Sequence, residues 1–392
     1  MATIPQKVNL LRGLLTEDQA YTGPFYVTLD ITRRCNLQCV GCIYHSPYSN
    51  SFLKGDSSFS DIPLHLTEQL CKDLKTLNTH TLVIQGEGEP FLHPDFLALV
   101  TGVKATGFNT VLLTNGTLLG KDLIQAFIDM KLDLLKVSLW AASSERYQQN
   151  YPGTNPNNFQ KVVDGMKLVA RLKYERKSRF PSLVLHSPIN RNNFRDINAM
   201  ADLVLETGCN GLSFAPMYSA NEILDSYLPL PEEEKWVRRA LIQMKERLNS
   251  FSLSHNINET LLRYELGEDV WKKLPCYTPW YHARIRTDGT VLACGRCDLI
   301  MGDLHKNRFD EIWNGSAFRS FRRKTFKNIG LDSMREHCDC SFCCFVGDND
   351  HVHRFFKWFL PFLRHSKKGE VSRNDLQYFQ VYQGVTHTKN QL

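Results

Sequence analysis

The sequence predicts an α/β fold, a partial (β/α)6 TIM-like barrel followed by a cysteine-rich C-terminal domain. Three observations support this prediction. Short strand-like segments alternate with helical periods over residues 21–218, and this alternation stops near Ser219. Seven of the 12 cysteines then lie between residues 276 and 344.

Six segments have the pattern of β-strands, because they alternate apolar and polar residues or form short apolar runs between turn residues. They cover residues 25–31, 82–85, 110–114, 134–140, 183–186 and 211–215. Strands that alternate with helices indicate βα units and a parallel sheet. Six units predict an incomplete barrel rather than a closed eight-stranded one.

The pattern along the chain predicts five parts. They are an N-terminal extension (1–20), the partial barrel (21–218), a helical connector (219–275), the cysteine-rich domain (276–346) and an aromatic, basic tail (347–392). In the connector, Pro231 and the three glutamates after it predict the start of a charged helix. In the cysteine-rich domain, Asp288-Gly289 predicts a hairpin turn.

The overall composition excludes several classes of protein. The net charge of +6 is spread along the chain without a lysine/arginine block, so no nucleic-acid partner is expected. No apolar run reaches the roughly 18 residues of a membrane span, and the first residues lack the features of a signal peptide. A cytoplasmic location is therefore expected. In a cytosolic chain, many cysteines favour metal or cluster ligation over disulfides.

Directly after the first strand, three cysteines follow the spacing C-x3-C-x2-C: Cys35, Cys39 and Cys42. Three thiolates on a short loop can hold three irons of a cubane cluster. The fourth iron then stays open and can bind amino and carboxylate groups, as an open zinc position binds its substrate. Zinc and inert thiols are the alternatives, although zinc usually takes four ligands and the only extra candidate nearby is His45.

This spacing after the first strand of a βα barrel resembles the radical S-adenosylmethionine superfamily, whose active sites lie at the carboxyl ends of the strands. The resemblance implies a [4Fe–4S] cluster on the three cysteines and bound S-adenosylmethionine. Reductive cleavage of S-adenosylmethionine would give a 5′-deoxyadenosyl radical that abstracts a substrate hydrogen. The chain has Gly41 where the family often has an aromatic residue against the adenine. Ile43 or Tyr44 is therefore expected to supply part of that contact.

The end of the second strand, Gly86-Glu87-Gly88-Glu89-Pro90, resembles the family's glycine–glycine–glutamate motif, which binds the methionine amino group. Because Glu87 replaces the first glycine, the resemblance carries over only Gly88 and Glu89. Glycine allows close approach to the backbone, and a carboxylate pairs with an ammonium group. An ordinary strand-end turn is the alternative.

Three further features lie at strand ends. Thr114-Asn115-Gly116 closes the third strand and resembles a turn that is common in the family. Ser138 on the fourth strand and Asn190 after the fifth match positions that often contact the ribose or carboxylate of S-adenosylmethionine. Each is equally consistent with a polar residue that bonds to nearby backbone.

The downstream cysteines begin with the pattern C-x12-G-x4-C, which resembles the SPASM or twitch domain and its one or two auxiliary [4Fe–4S] clusters. The full SPASM spacing is absent further on, where the chain reads C-x-C-x2-C-C. Resemblance to the shorter twitch form implies one auxiliary cluster on Cys276, Cys294, Cys340 and Cys343, with Cys338 as an alternative to Cys340. A second auxiliary cluster and a structural zinc on the same thiols are the other interpretations.

An auxiliary cluster near the substrate can accept an electron, so we expect an oxidoreductase. By resemblance to the twitch enzymes, the expected substrate is a sugar, an aminocyclitol or a related small molecule or glycan. The expected reductant is a flavodoxin or ferredoxin. One alternative is an epimerase in which Cys297 or Cys344 returns a hydrogen atom. Others are a peptide or protein maturase, although residues 1–20 are too short for a peptide-binding winged helix, and a non-catalytic module held together by zinc.

The remaining features receive structural interpretations. Cys71 and Cys209 are expected in the core. The aromatic, basic stretch at residues 351–368 fits either packing over the cysteine-rich domain or peripheral contact with a membrane surface. Pro361 is expected to break or kink its helix, which favours packing because each half is short.

Overall fold

In a computed structural model, the chain is described over residues 3–48, 60–219, 222–267, 270–326, 337–338, 340 and 343–365. One open sheet runs through the molecule. Its strands are β1 (Tyr26–Asp30), β2 (Thr81–Gln85), β3 (Asn109–Thr114), β4 (Leu134–Ser138), β5 (Ser182–Ile189), β6 (Gly211–Pro216), β7 (Ser254–His255), β8 (His282–Ile285), β9 (Thr290–Leu292) and β10 (Ile300–Asp303).

Helices surround this sheet. They are α1 (Ile4–Thr16), α2 (Leu64–Thr76), α3 (Phe96–Ala105), α4 (Lys121–Asp129), α5 (Ser144–Asn150), α6 (Asn158–Glu175), α7 (Ile197–Thr207), α8 (Glu222–Asp225), α9 (Pro231–Ser250), α10 (Ile257–Leu266), α11 (Val270–Lys273), α12 (Thr278–Tyr281), α13 (Phe309–Trp313), α14 (Ser316–Phe326) and α15 (Val346–His365). Short 3-10 helices span Pro90–Leu92 and Phe194–Asp196. The charged helix predicted from Pro231 is confirmed as α9.

The strand order is β10-β9-β8-β1-β2-β3-β4-β5-β6-β7. Strand β8 and strands β1 to β7 run parallel, whereas β9 and β10 pair antiparallel at one edge. All six predicted strands are confirmed as β1 to β6, and the fold is the predicted incomplete α/β barrel. The short β7 and the C-terminal β8 extend the sheet beyond the prediction.

Each barrel strand buries one row of side chains against the helices. In β4, Leu135 and Val137 are fully buried, and Val137 and Val162 of α6 both lie against Gly116. Because alternate side chains point to opposite faces of a sheet, Lys136 and Ser138 belong to the other row. We call this row, which faces away from the helical layer, the inner face.

Strand β8 brings the cysteine-rich segment directly against the barrel. It pairs in parallel with β1, with His282 opposite Tyr26 and Ile285 opposite Leu29. The sheet therefore continues across residue 276, and the five domain limits stay a prediction. The sequence analysis missed strand β8, although its four residues alternate polar and apolar side chains, because the segment is only four residues long.

The predicted hairpin turn between β8 and β9 is confirmed. The Gly289 N–H donates to the Arg286 carbonyl oxygen at 3.0 Å, and the Arg286 N–H donates to the Thr290 carbonyl oxygen at 3.0 Å. Gly289 has a φ of 77°, a conformation that glycine adopts at little cost.

Helix α15 carries the described part of the aromatic tail and packs against the rest of the chain. Val352 and Phe356 are buried, and the His353 Nδ1 lies 2.7 Å from the Tyr277 hydroxyl. The helix continues through Pro361 to His365, so the predicted break at this residue is wrong. Residues 366–368 lie outside the described residues. Within the described ranges, no helix combines the length and hydropathy that a membrane span requires.

Candidate active site

Cys35, Cys39 and Cys42 lie on one loop at the carboxyl end of β1. The Cys42 N–H donates to the Cys39 carbonyl oxygen at 3.0 Å. The Cys42 sulfur accepts two backbone N–H groups, from Tyr44 at 3.4 Å and from His45 at 3.3 Å. Backbone donors that point at a sulfur favour its thiolate form.

Burial raises the pKa of the Cys35 thiol to about 11 and that of Cys39 well above its usual value. The charge of an ionised Cys42 adds to both shifts. Partly buried thiols that repel one another when ionised are suited to a cationic iron–sulfur cluster, which takes them as thiolates. Three sulfur donors on one loop therefore fit three irons of a [4Fe–4S] cluster. The described residues contain no group of three or more His, Cys, Asp or Glu side chains placed to hold a single metal ion.

Gly88 and Glu89 approach this loop from the end of β2. The Gly88 N–H donates to the Thr32 carbonyl oxygen at 2.9 Å, and the Glu89 N–H donates to the Arg34 carbonyl oxygen at 2.7 Å. A Cβ atom on Gly88 would lie 2.1 Å from the Arg34 carbonyl oxygen. Only glycine fits this contact, which joins the predicted binding motif to the residue before Cys35.

The Glu89 carboxylate is buried and accepts three hydrogen bonds. Its donors are the Thr114 hydroxyl at 2.7 Å, the Asn115 N–H at 2.7 Å and the Phe91 N–H at 3.3 Å. Burial raises the pKa of Glu89 to about 7 even though these bonds oppose the shift. The turn after β3 thus serves to hold Glu89. A carboxylate has about four acceptor positions, so these three donors leave room for an ammonium group.

Asn36, inside the C-x3-C spacing, is a site residue that the sequence analysis missed. Its amide oxygen accepts from the Asn115 side chain at 2.9 Å, and its amide nitrogen donates to the Thr117 hydroxyl at 2.8 Å. These bonds tie the cysteine loop to the turn that holds Glu89. A polar residue within a short ligand loop was the only signal in the sequence.

Glu87 replaces the first motif glycine and forms a buried ionic network instead. Its carboxylate accepts from Arg33 at 2.5 Å and from Arg286, just after β8, at 2.7 Å. Its side chain is 0% exposed. The charge of Glu87 is therefore balanced by two arginines of the chain. Its ion pair with Arg286 connects the end of β2 to the cysteine-rich segment.

The space beside Gly41 is filled by Trp140 and Met217. A Cβ atom on Gly41 would lie 2.7 Å from the Met217 Cε and 3.1 Å from the Trp140 ring. The Trp140 indole N–H donates to the Ser138 hydroxyl at 2.9 Å, which orients the ring. The structure therefore places an aromatic ring beside the cysteine loop from β4, an arrangement that the expectation for Ile43 or Tyr44 did not include.

Asn190 and Ser138 have different surroundings. Asn190 is 0% exposed. Its Nδ2 donates to the Asn150 Oδ1 at 2.8 Å, and its Oδ1 accepts the N–H groups of Asn192 and Asn193. These bonds favour the local structural interpretation of Asn190. Ser138 lies on the inner face at the end of β4 and is partly exposed, so it stays a candidate for cofactor binding.

Five downstream cysteines, Cys276, Cys294, Cys340, Cys343 and Cys344, interact electrostatically with one another. Burial raises the pKa of Cys276 to about 11 and those of Cys294 and Cys343 well above their usual value. Cys344 and Cys340 contribute to the shifts of both Cys294 and Cys343. Cys276, Cys294, Cys340 and Cys343 therefore stay the predicted ligands, and Cys344 interacts electrostatically with the same thiols.

Cys338 and Cys297 do not join this group. A disulfide connects them, with their Cα atoms 4.1 Å apart, and they face each other in a β-bridge. The sequence favoured cluster ligation over disulfides, and this pair is an exception to that expectation. It also disfavours Cys338 as the substitute for Cys340.

Arg284, on the inner face of β8, contacts the surroundings of both cysteine groups. Its side chain is 8% exposed, and its Nε lies 2.5 Å from the Asp30 carboxylate at the end of β1. Its Nη2 donates to the Tyr44 hydroxyl at 2.9 Å, and its Nη1 donates to the Gly295 carbonyl oxygen at 3.2 Å. Gly295 follows Cys294 directly, so one buried guanidinium spans the two groups. The rigid fork of arginine suits such multiple contacts.

Two family models match the chain. The model of the radical SAM superfamily matches residues 29–204, and that of the SPASM iron–sulfur cluster-binding domain matches residues 276–344. These ranges include every member of both cysteine groups.

Relatives agree with these matches. The AdoMet-dependent heme synthase of Methanosarcina barkeri is 23% identical over 317 residues, which are 76% of this chain and 85% of the relative. The PqqA peptide cyclase of Ruegeria pomeroyi is 24% identical over 332 residues, 81% of this chain and 79% of the relative. The structure of Streptococcus suis SuiB bound to S-adenosylmethionine shares the fold, with a TM-score of 0.60 at 15% identity over 77% of this chain and 68% of SuiB. The chain is therefore a radical SAM enzyme, which uses a [4Fe–4S] cluster and S-adenosylmethionine and carries a SPASM iron–sulfur domain.

Proposed function

We propose that this enzyme catalyses a net oxidation of a sugar, an aminocyclitol or a related small molecule. Cys35, Cys39 and Cys42 would hold the first cluster, and Gly88 with Glu89 would bind the methionine amino group. When bound, the cluster and S-adenosylmethionine supply the radical that removes a hydrogen atom from the substrate. An auxiliary cluster on the downstream cysteines would take up the remaining electron, and the accompanying proton would pass to solvent.

The observation that carries this proposal is the bridge formed by Arg284. Arg284 contacts residues close to each cysteine group from the inner face, which supports a substrate that binds on that face between the two groups. This face also carries hydroxyl, amide and imidazole groups, on Thr28, Gln85, Ser213 and His186. Such groups hydrogen-bond the hydroxyl and amino groups of a polar substrate.

A peptide or protein substrate is the second candidate. The specific observation in its favour is the similarity over 81% of the chain to a relative named PqqA peptide cyclase. For the epimerase alternative, the disulfide of Cys297 leaves Cys344, which is exposed and reduced, as the hydrogen donor.

The test begins with anaerobic purification and cluster reconstitution. Iron, sulfide and zinc per chain are measured together with 5′-deoxyadenosine formed under dithionite. We expect about eight irons in the wild type and about four in the triple variant Cys35→Ala/Cys39→Ala/Cys42→Ala, which forms no deoxyadenosine. The matched variant Cys276→Ala/Cys294→Ala is expected to keep about four irons and still form deoxyadenosine.

Other outcomes distinguish the alternatives. About twelve irons would indicate two auxiliary clusters, and zinc without iron would leave only the zinc-held binding module. Incubation with sugars and aminocyclitols in parallel with peptides then identifies the substrate class. A product that is lighter than its substrate by two hydrogens supports oxidation. A product of unchanged mass in ordinary water that incorporates deuterium in heavy water supports epimerisation. Replacing dithionite by reduced flavodoxin or ferredoxin tests the proposed electron donor.

A further inference from the structure

Lys136, in the middle of β4, is a cation that the chemistry described above does not use. It belongs to the inner face, because Leu135 and Val137 are buried against the helices. In the part of the chain that the structure describes, its ammonium group has no hydrogen bond and no salt bridge. Burial lowers the pKa of Lys136. Lys136 is partly exposed, and a cation that has lost part of its water is stabilised by an accompanying anion.

Two polar groups lie beside Lys136 on the same face. The pairing of β4 with β5 places His186 one position further along this row. The His186 Nδ1 lies 2.9 Å from the hydroxyl of Ser213 on β6. Burial, followed by the charges of Lys136 and Arg263, lowers the pKa of His186 well below its usual value. His186 is therefore neutral at pH 7 and carries one N–H donor.

Further cations approach from the auxiliary cysteine group. Arg263 on α10 interacts electrostatically with Cys344, Cys343 and Arg296 as well as with His186. Arg263 therefore adds positive charge that acts on both His186 and the auxiliary cysteines.

The acidic groups of the inner face have other partners. Asp30 pairs with Arg284, and Glu87 pairs with Arg286. Within the described residues, no carboxylate lies at salt-bridge distance from Lys136. The inner face between the two cysteine groups is therefore positively charged around Lys136.

We propose that Lys136, His186 and Ser213 form a subsite for an anionic group of the substrate, a carboxylate or a phosphate. Lys136 supplies the charge, while the pair of His186 and Ser213 supplies one directed donor, because its other hydrogen lies in the bond between them. This subsite rests on the proposed function and adds that its substrate carries an anionic group.

S-adenosylmethionine also carries a carboxylate, which is the alternative anion for this subsite. Ser138, at the end of β4, is the candidate for contact with the cofactor. Lys136 lies two residues earlier, about 6.6 Å deeper along the strand and further from the cysteine loop. This depth favours the substrate as the source of the anion.

The test uses reconstituted holoenzyme saturated with S-adenosylmethionine, with inorganic phosphate and glutarate as probes in isothermal titration calorimetry. We expect the wild type to bind at least one probe. Lys136→Met is expected to bind it at least about tenfold more weakly, the loss typical of one charge-assisted hydrogen bond. Lys136→Arg keeps the charge and is expected to retain most of the affinity. Lys72→Met, on the exposed face of α2, is the matched control and is expected to match the wild type.

Folding of the variant is checked by its thermal midpoint without added anion. Because Lys136→Met removes a partly buried charge that has no salt bridge within the described residues, its midpoint is expected to equal or exceed that of the wild type. Lys136→Gln provides a polar variant of similar length for the same titration, so a misfolded Lys136→Met protein would not prevent the test.

Three outcomes overturn the proposal. They are equal probe binding by wild type and Lys136→Met, absence of probe binding by the wild type, and an equally large loss of affinity for S-adenosylmethionine in Lys136→Met. The last outcome would assign the lysine to the cofactor carboxylate. Failure of the wild type to form 5′-deoxyadenosine would instead refute the proposed function, so the two failures are distinguishable.

Discussion

Replacing Arg284 by methionine tests whether the inner face depends on one buried cation. The substitution keeps most of the side-chain length and removes the guanidinium. The Asp30 carboxylate, which is 0% exposed, would lose its ion pair at 2.5 Å. Only the bond from the Gln85 amide, at 3.0 Å, would remain among its described side-chain partners. The Tyr44 hydroxyl and the Gly295 carbonyl oxygen would each lose a donor as well.

The magnitude follows from the burial of the pair. Removing one partner of a buried ion pair leaves an uncompensated charge and costs about 3–5 kcal/mol. That is a large fraction of the roughly 5–15 kcal/mol that stabilises a typical protein. The double variant Asp30→Asn/Arg284→Met removes both charges. It is therefore expected to recover about half or more of the lost stability.

The assay is urea denaturation under anaerobic conditions, followed by circular dichroism and by the visible absorbance of the clusters. Lys306→Met is the matched control, because its pair with Asp303 is largely exposed, at 77% and 29%. Such surface pairs contribute about 0–1 kcal/mol. A loss below about 1 kcal/mol in Arg284→Met, or a double variant no more stable than Arg284→Met, would refute the reasoning.

Three further predictions follow from single side chains. Burial lowers the pKa of His282 to about 3. As the pH falls below about 6.5, the imidazole is protonated in the unfolded chain but not in the folded one, so the free energy of unfolding decreases. His282→Gln is expected to remove about 1.4 kcal/mol of the decline between pH 7.5 and 5.5 in urea denaturation, and identical slopes would contradict this. Gly41→Phe is expected to weaken S-adenosylmethionine binding about tenfold in equilibrium dialysis, because the ring would displace Trp140 and Met217; unchanged affinity would show that this space is adaptable. Asn190→Ala is expected to lower the free energy of unfolding by about 1–3 kcal/mol without changing that affinity, and a selective loss of affinity would return Asn190 to the binding site.

The parts of the site that the sequence predicted well are local. Cys35, Cys39 and Cys42 share one loop because only a few residues separate them. The barrel strands were predicted because their residues alternate between apolar and polar or form short apolar runs. Each segment shows this pattern by itself. The turn at Gly289 followed from the need for a positive φ.

The parts that the sequence did not predict depend on distant segments. Glu87 was read as a departure from a motif, and only its contact with Arg286 shows what it does. Asn190 matched a binding position, but its bonds to Asn150 and the backbone place it in the interior. The disulfide of Cys297 likewise joins residues 41 positions apart.

By itself, the sequence determined the family, the type of fold and the chemistry of the two cysteine groups, because ligand spacing and strand period are properties of short segments. Only the tertiary structure decided that β8 joins the sheet beside β1 and that Arg284 spans the two groups. It alone also showed that Lys136 is without a partner among the described residues. These features depend on which buried groups meet across the sheet. A buried charge is costly without a partner, so these contacts decide whether a charged group stabilises the fold or stays available for a ligand.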